Sequence, residues 1–374
     1  MSGIYIHIPF CKKACHYCNF HFSTNQNSKS TFIKAVCNEL KLRKSEYAIE
    51  EIQSIYFGGG TPSVLEVTEL NTILQTVYEH YIVSDAPEIT LEANPDDLDI
   101  ETIKGLSNTK INRLSIGIQS FHESDLVSMN RAHNANEAKK CLEIATAYFD
   151  NITIDLMFGM PTMSIEKWRQ NLQTAFGFGI KHLSCYALTV EPKTALEHFI
   201  SKGSYPPMDD ELAAKHFEVL LEETSIQGLT HYETCSFGHP DYFSRHNTSY
   251  WLGQTYMGVG PSAHSFDGQS RSWNLSNNTN YIKSLESNVR LFESEVLSLE
   301  NRFNEYIMTG LRTIWGISLD KIEADFGSDI KRQFLESSKK FIASKMLVIE
   351  ENHLKITKTG KFLSDGIASD LFLV

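Results

Sequence analysis

The chain has 374 residues, 41% hydrophobic and 21% charged, with a formal net charge of −12. That length can bury a large core and predicts more than one domain, while the acidic surplus argues against a nucleic-acid partner held mainly through phosphates. No apolar run is long enough for a bilayer, and Met-Ser-Gly followed by a strand is no signal peptide, so the expected compartment is the cytoplasm.

Strands and helices alternate through the first half. Strands are expected at Ile4–Ile8, Ser54–Phe57, Glu88–Ala93, Arg113–Ile118, Asn151–Met157 and His182–Leu188. Helices are expected at Ser30–Lys44, Ser63–Tyr78, Ile100–Leu106, Ser124–Met129, Asn136–Ala147 and Ser164–Phe176. Such alternation implies parallel strands. No seventh or eighth unit follows Leu188, so the expected α/β fold is an open (β/α)6 partial barrel of TIM type. Thr61-Pro62 offers an N-cap followed by proline at the first helical position, and Ser164 offers a lone cap.

From about Pro192 the pattern loosens into Gly/Ser/Asn-rich loops around one clear helix, Asp209–Gln227. From about residue 299 helices are expected at Leu299–Ile314, Leu319–Asp325 and Asp329–Lys345. A hairpin then pairs Met346–Glu350 with His353–Ile356 around Glu351-Asn352. This is a C-terminal winged-helix-like α+β unit, and its balanced charge reads as packing rather than DNA binding. The expected units are 1–190, 191–298 and 299–374.

The chemistry starts at Cys11-Lys-Lys-Ala-Cys15-His-Tyr-Cys18, just after the first strand. Three thiolates can hold a four-iron cluster and leave one iron open to a small molecule. A zinc site is the rival, with His7, His16 or His21 completing a Cys₃His set. The other cysteines, Cys37, Cys141, Cys185 and Cys235, are scattered singly, which reads as a reduced compartment rather than a disulfide framework. Gly58-Gly59-Gly60-Thr61-Pro62 ends the second strand and can bring bare backbone close to a ligand. Glu92, Asn94, Gln119, Ser120, Arg131, Asp155, Tyr186 and Thr189 stand at or after later strand ends. In a parallel barrel these ends share one mouth.

The cysteine spacing, with Tyr17 before the last ligand, resembles the radical S-adenosylmethionine (SAM) superfamily. That resemblance implies a [4Fe-4S] cluster held by Cys11, Cys15 and Cys18. The SAM amino and carboxylate groups would sit on the open iron, where an electron from the cluster cleaves SAM to a 5′-deoxyadenosyl radical. Tyr5-Ile-His-Ile-Pro-Phe-Cys11, Gly58-Gly-Gly-Thr-Pro62, Glu92-Ala-Asn-Pro95, Ser115-Ile-Gly-Ile-Gln-Ser-Phe121, Asn130-Arg-Ala-His133 and Asp155-Leu-Met-Phe-Gly-Met-Pro161 narrow the likeness. Together they resemble the oxygen-independent coproporphyrinogen III oxidase group. Carried over residue by residue, Tyr5, Tyr17, Gly59, Gly60, Thr61, Glu92, Gln119, Arg131 and Asp155 match its SAM-contacting positions.

Two departures separate the chain from a true oxidase. Phe20 stands where the oxidase has a further cysteine, and the oxidase carries an arm ahead of a cluster motif that here starts at residue 11. The HemW-type heme chaperones share both departures. His246-Asn-Thr-Ser-Tyr250-Trp251 also matches their His-Asn-x-x-Tyr-Trp signature, which implies heme contacts from His246, Tyr250 and Trp251. His264 lies in a second matching segment, Gly258-Val-Gly-Pro-Ser-Ala-His264, and Cys185 and Cys235 are further candidate heme ligands. The resemblance implies a chaperone that binds heme and delivers it to respiratory proteins at the membrane. Its SAM-bound cluster would gate homodimer formation or heme release. The alternatives are an oxidase decarboxylating coproporphyrinogen propionates and, more remotely, an RNA-modifying enzyme.

Overall fold

The structure is a computed structural model that describes residues 2–46 and 51–373. Its first half runs β1 (Ser2–Ile8), α1 (Lys29–Leu42), β2 (Ile52–Gly59), α2 (Val67–His80), β3 (Val83–Ala93), α3 (Ile100–Ser107), β4 (Arg113–Gln119), α4 (Glu123–Ser128), α5 (Ala135–Tyr148), β5 (Ile152–Phe158), α6 (Ile165–Gly177) and β6 (His182–Ala187). The six strands pair in parallel and in chain order, as the sequence predicts. Ser164 caps α6 by accepting from the Lys167 amide. Thr61 does not cap α2. A short turn at Pro62–Val64 intervenes, and α2 starts with Glu66 and Glu69 closing a capping box.

Residues 192–300 hold more structure than their loop-rich composition suggests: α7 (Ala195–Ser201), α8 (Asp210–Ile226), β7 (Thr230–Glu233), β8 (Ser236–Gly238), α9 (Arg245–Trp251), β9 (Tyr256–Val259), β10 (His264–Phe266), β11 (Ser270–Asn274), α10 (Asn278–Glu286) and β12 (Phe292–Val296). These strands extend the sheet at both edges, giving the order β12-β11-β10-β9-β1-β2-β3-β4-β5-β6-β8-β7. β9 is a seventh parallel strand, added beside β1 rather than after β6. Its further neighbours run antiparallel, so the described sheet stays open. β12 forms one outer edge, with all its residues exposed.

Strand alternation sorts the side chains into two faces. Ile4, Ile6, Ile55, Phe57, Ile89, Leu91, Leu114, Ile116, Ile154 and Leu183 belong to the buried apolar core. The opposite face is polar, and the register stacks it in tiers. Tyr5 pairs with Tyr56, Tyr56 with Thr90 and Thr90 with Arg113. One tier nearer the mouth, Glu92, Ser115, Thr153 and His182 line up.

The C-terminal segment is built from α11 (Leu299–Leu311), β13 (Ile317–Ser318), α12 (Leu319–Phe326), α13 (Ser328–Ala343), β14 (Leu347–Glu350), β15 (His353–Ile356) and α14 (Ser364–Ser369). Phe303, Ile307, Leu311, Ile322, Phe334, Leu347, Leu354 and Ile367 give it a core of its own. Glu351 and Asn352 turn the hairpin with φ of 48° and 62°, the two left-handed positions of a two-residue turn.

One buried carboxylate joins α1 to the β9–β11 edge. Glu39 accepts from Arg43 Nη1 (3.0 Å), Gly260 N (2.9 Å), Asn274 Nδ2 (2.8 Å) and Tyr281 Oη (2.7 Å). Arg43 is itself 1% exposed. Replacing Glu39 with Ala takes away the buried one of Arg43's two carboxylate partners, Glu46 remaining at 2.7 Å, and strips the Gly260, Asn274 and Tyr281 donors of their shared acceptor, so urea unfolding is expected to show a loss of about 3 kcal/mol. A loss under about 1 kcal/mol would mean that Glu39 does not tie the edge down.

Candidate cluster and cofactor site

The cysteine loop leaves β1 at the C-terminal end of the parallel strands, and contacts from distant elements fix its path. Cys11 N donates to Ser23 O (3.0 Å) and His16 N to Met129 O (3.1 Å), while Leu196 N donates to His16 O (2.8 Å). Asn130 Nδ2 donates to Ala14 O at 2.7 Å, and Lys12 forms ion pairs with Asp96 and Asp97.

Arg131 organises the mouth. Its Nη1 donates to Cys15 Sγ (3.3 Å) and Tyr17 Oη (3.4 Å), and its Nη2 to Asn94 Oδ1 (2.6 Å) and Gly117 O (2.7 Å). Asn94 Nδ2 in turn donates to Thr61 Oγ1 (3.3 Å), whose hydroxyl donates to Cys11 Sγ (3.4 Å). An arc of three side chains, Arg131, Asn94 and Thr61, thus runs from Cys15 to Cys11. Asn94 belongs to this arc but not to the carried-over set. Its signal was there, at the end of β3 in Glu92-Ala-Asn-Pro95.

Burial pushes the Cys11 thiol up to about 11 against the Thr61 hydrogen bond, and Cys18 also moves up mainly by burial. Burial raises Tyr17 as well, so its hydroxyl is neutral beside Arg131. Three thiols on one pinned loop, two of them already accepting hydrogen bonds, fit a cluster held by three thiolates. Of the histidines of the zinc alternative, only His7 is bonded at both ring nitrogens, and His16 and His21 are bonded at one each. His7 bonds Tyr5 Oη and His21 O, His16 bonds Ser128 O, and His21 bonds Asn278 Oδ1. Among the described residues no three His, Cys, Asp or Glu side chains converge on a single-ion site.

Beside the loop lies the glycine turn. Gly59 has φ +114°, and a Cβ there would lie 2.5 Å from the His7 ring. A Cβ on Gly60 would lie 2.8 Å from Phe10 O. Only bare backbone fits. Glu92 faces this turn, accepting from Gly59 N (3.2 Å) and Tyr56 Oη (2.8 Å). Burial, and then the Asp155 charge, push Glu92 up to about 7. Burial also lifts Asp155 to about 6, with Arg113 and Arg131 pulling it down. Gln119 ends β4 in the left-handed region at φ 65°, next to Arg131. Tyr5 stacks on Tyr56 with centroids 6.1 Å apart. The structure therefore gathers Tyr5, Tyr17, Gly59, Gly60, Thr61, Glu92, Gln119, Arg131 and Asp155 around one bowl. A tight glycine turn, two carboxyls and a guanidinium suit the zwitterionic head of SAM.

The expected heme residues lie elsewhere. His246 is 1% exposed at the barrel floor. Its Nδ1 bonds Ser54 Oγ (2.8 Å) and its Nε2 bonds Tyr250 Oη (2.7 Å), so neither ring nitrogen is open to an iron. Its backbone amide and that of Arg245 donate to Glu88, each at 2.9 Å. Burial, and then Arg113, lower its pKa to about 3, which keeps the ring neutral. His264 is exposed and stacks on Trp273 at 5.7 Å. Cys185 is buried and its thiol is raised by that burial, and burial pushes Cys235 up to about 12, so neither carries a charge of its own.

A parallel half-barrel with a three-cysteine loop and a glycine turn at its mouth defines a radical SAM protein. A family model described as the radical SAM superfamily matches residues 5–175, and one described as the HemN C-terminal domain matches residues 297–363. A heme chaperone HemW from Lactococcus lactis is 30% identical, covering 100% of this chain and 97% of that one. The Bacillus subtilis protein of that name is 30% identical over 98% of each chain. The Escherichia coli one is 34% identical over 70% of this chain and 69% of its own. The solved E. coli coproporphyrinogen III oxidase HemN superposes with a TM-score of 0.85 at 19% identity, over 99% of this chain and 90% of that one, a likeness of fold. The chain belongs to the HemW family.

Glu92 and Asp155 hold protons more tightly folded than unfolded. The folded chain therefore carries the excess proton on Glu92 between 4.5 and about 7, and stability falls as pH rises through that window. In the cofactor-free protein, Tm is expected to fall more steeply across this range than in Glu92→Gln. Parallel slopes would show that Glu92 is ionised throughout.

Proposed function

We propose that the protein is a heme chaperone that carries a [4Fe-4S] cluster and SAM, binds heme and hands it to respiratory proteins at the membrane. The observation that carries this reading is the end-to-end similarity to proteins named heme chaperone HemW. Cys11, Cys15 and Cys18 would ligate the cluster. Thr61 and Arg131 would stabilise thiolate charge by hydrogen bonding. The glycine turn, Glu92 and Gln119 would orient the SAM head group, and Tyr5 and Tyr17 would wall it from water. Bound to such a cluster, SAM supplies one-electron radical chemistry. Membrane acceptors would be met from the cytoplasm. No helix among the described residues is long and apolar enough to cross a membrane. A homodimer is part of this reading, with heme release linked to its opening.

Anaerobic reconstitution is expected to give about four irons per chain. Cys15→Ser should abolish the visible cluster absorbance. Hemin titration should saturate near one heme per chain. Incubation with reductant, SAM and coproporphyrinogen III should leave the porphyrinogen unchanged. Turnover to the protoporphyrin product would replace the chaperone reading with the oxidase one.

A further inference from the structure

Arg43 and Arg113 are each 1% exposed, and they differ in what meets them. Arg43 gives its N–H groups to Glu46, Glu39, Gly258 O and Ser265 Oγ. Arg113, at the start of β4, forms no hydrogen bond and no ion pair through its side chain among the described residues, and its Nε is sealed from solvent. A guanidinium stays protonated, so its five donors and its charge are buried without a contact partner.

Thr90 lies beside it. The register pairs Thr90 with Arg113 on the polar face of the sheet. Thr90 is 0% exposed, and its Oγ1 is a second buried group without a partner. Buried polar groups are rarely left unpaired, and two of them side by side call for a shared acceptor.

The neighbouring side chains do not supply one. Burial, and then the Arg113 charge, lower His182 and His246 and keep both rings neutral. His182 is bonded to Thr153 Oγ1 (2.6 Å) and Tyr232 Oη (2.8 Å), and His246 to Ser54 and Tyr250. Glu88 accepts from the amides of Arg245 and His246. Burial lifts Glu92 to about 7 and Asp155 to about 6, although Arg113 pulls both down. None of these three carboxyls forms an ion pair with Arg113.

We propose that the barrel interior, one tier below the cofactor bowl, holds a small monovalent anion between the Arg113 guanidinium and the Thr90 hydroxyl. The ligand is a halide or a single small carboxylate such as formate. One guanidinium without a contact partner sets the valence, and the closed surroundings set the size. Arg113 and Thr90 belong neither to the cluster ligands nor to the SAM set, so the site stands independently of the chaperone reading.

Thermal unfolding of the full chain in sodium gluconate tests this, with chloride, bromide or formate replacing gluconate at constant ionic strength. In wild type, Tm should rise saturably, by about 2 °C at ten times the dissociation constant. Arg113→Met should lose the saturable rise. Thr90→Val removes one donor and should raise the half-saturating concentration about three- to tenfold, and Thr90→Ser should restore it. If Arg113→Met does not fold, the two Thr90 variants carry the test. A rise with chloride and bromide alone identifies a halide, and a rise with formate identifies a carboxylate pocket. No saturable rise with any of the three would mean that water alone meets Arg113, and would overturn the proposal. So would a rise in Arg113→Met or Thr90→Val that matches wild type in size and half-saturation, which would place the anion elsewhere.

Discussion

One guanidinium holds the mouth of the barrel in register. Arg131 comes from the turn after α4 and reaches the cysteine loop, the end of β3 and the backbone of β4 at once. Its planar fork can serve several acceptors from a single rigid position, which an ammonium could not. Through Asn94 and Thr61 it also governs the far side of the loop. The thiols therefore meet fixed donors rather than mobile solvent, and the bowl beside them inherits that order.

The floor of the barrel is organised by the same need to satisfy buried polar groups. Glu88 caps the start of α9 from inside the sheet, and Ser54 and Tyr250 hold both nitrogens of His246. From Glu92 a contact path runs through Tyr56, His246 and Tyr250 to Tyr256. Glu92 and Tyr256 are thus opposite ends of one packed column. A change of charge at Glu92 acts on the first member of that column.

Much of this was legible in the sequence, and the exceptions have physical reasons. The six parallel strands announced themselves through apolar runs, and the hairpin through Glu351-Asn352. β9, β10 and β11 did not, because strands of 4, 3 and 5 residues are too short to show a period. The cysteines and glycines could be read locally because their chemistry depends on spacing along the chain. The Arg131–Asn94 bond spans 37 positions and exists only once β3 and β4 are paired. His246 lies beyond the same limit. Its place between Ser54 and Tyr250 follows from α9 docking beneath the sheet, a tertiary outcome no local pattern carries.

The outer edge strand has a bearing on how copies of the chain can meet. β12 offers an unpaired ladder along Phe292–Val296, an arrangement that ordinarily recruits another strand. Glu293 and Glu295 stand on it, Glu293 already accepting from the Trp273 indole at 3.1 Å. A second copy laid along that border would set carboxylate against carboxylate. Self-association through ribbon continuation is therefore disfavoured.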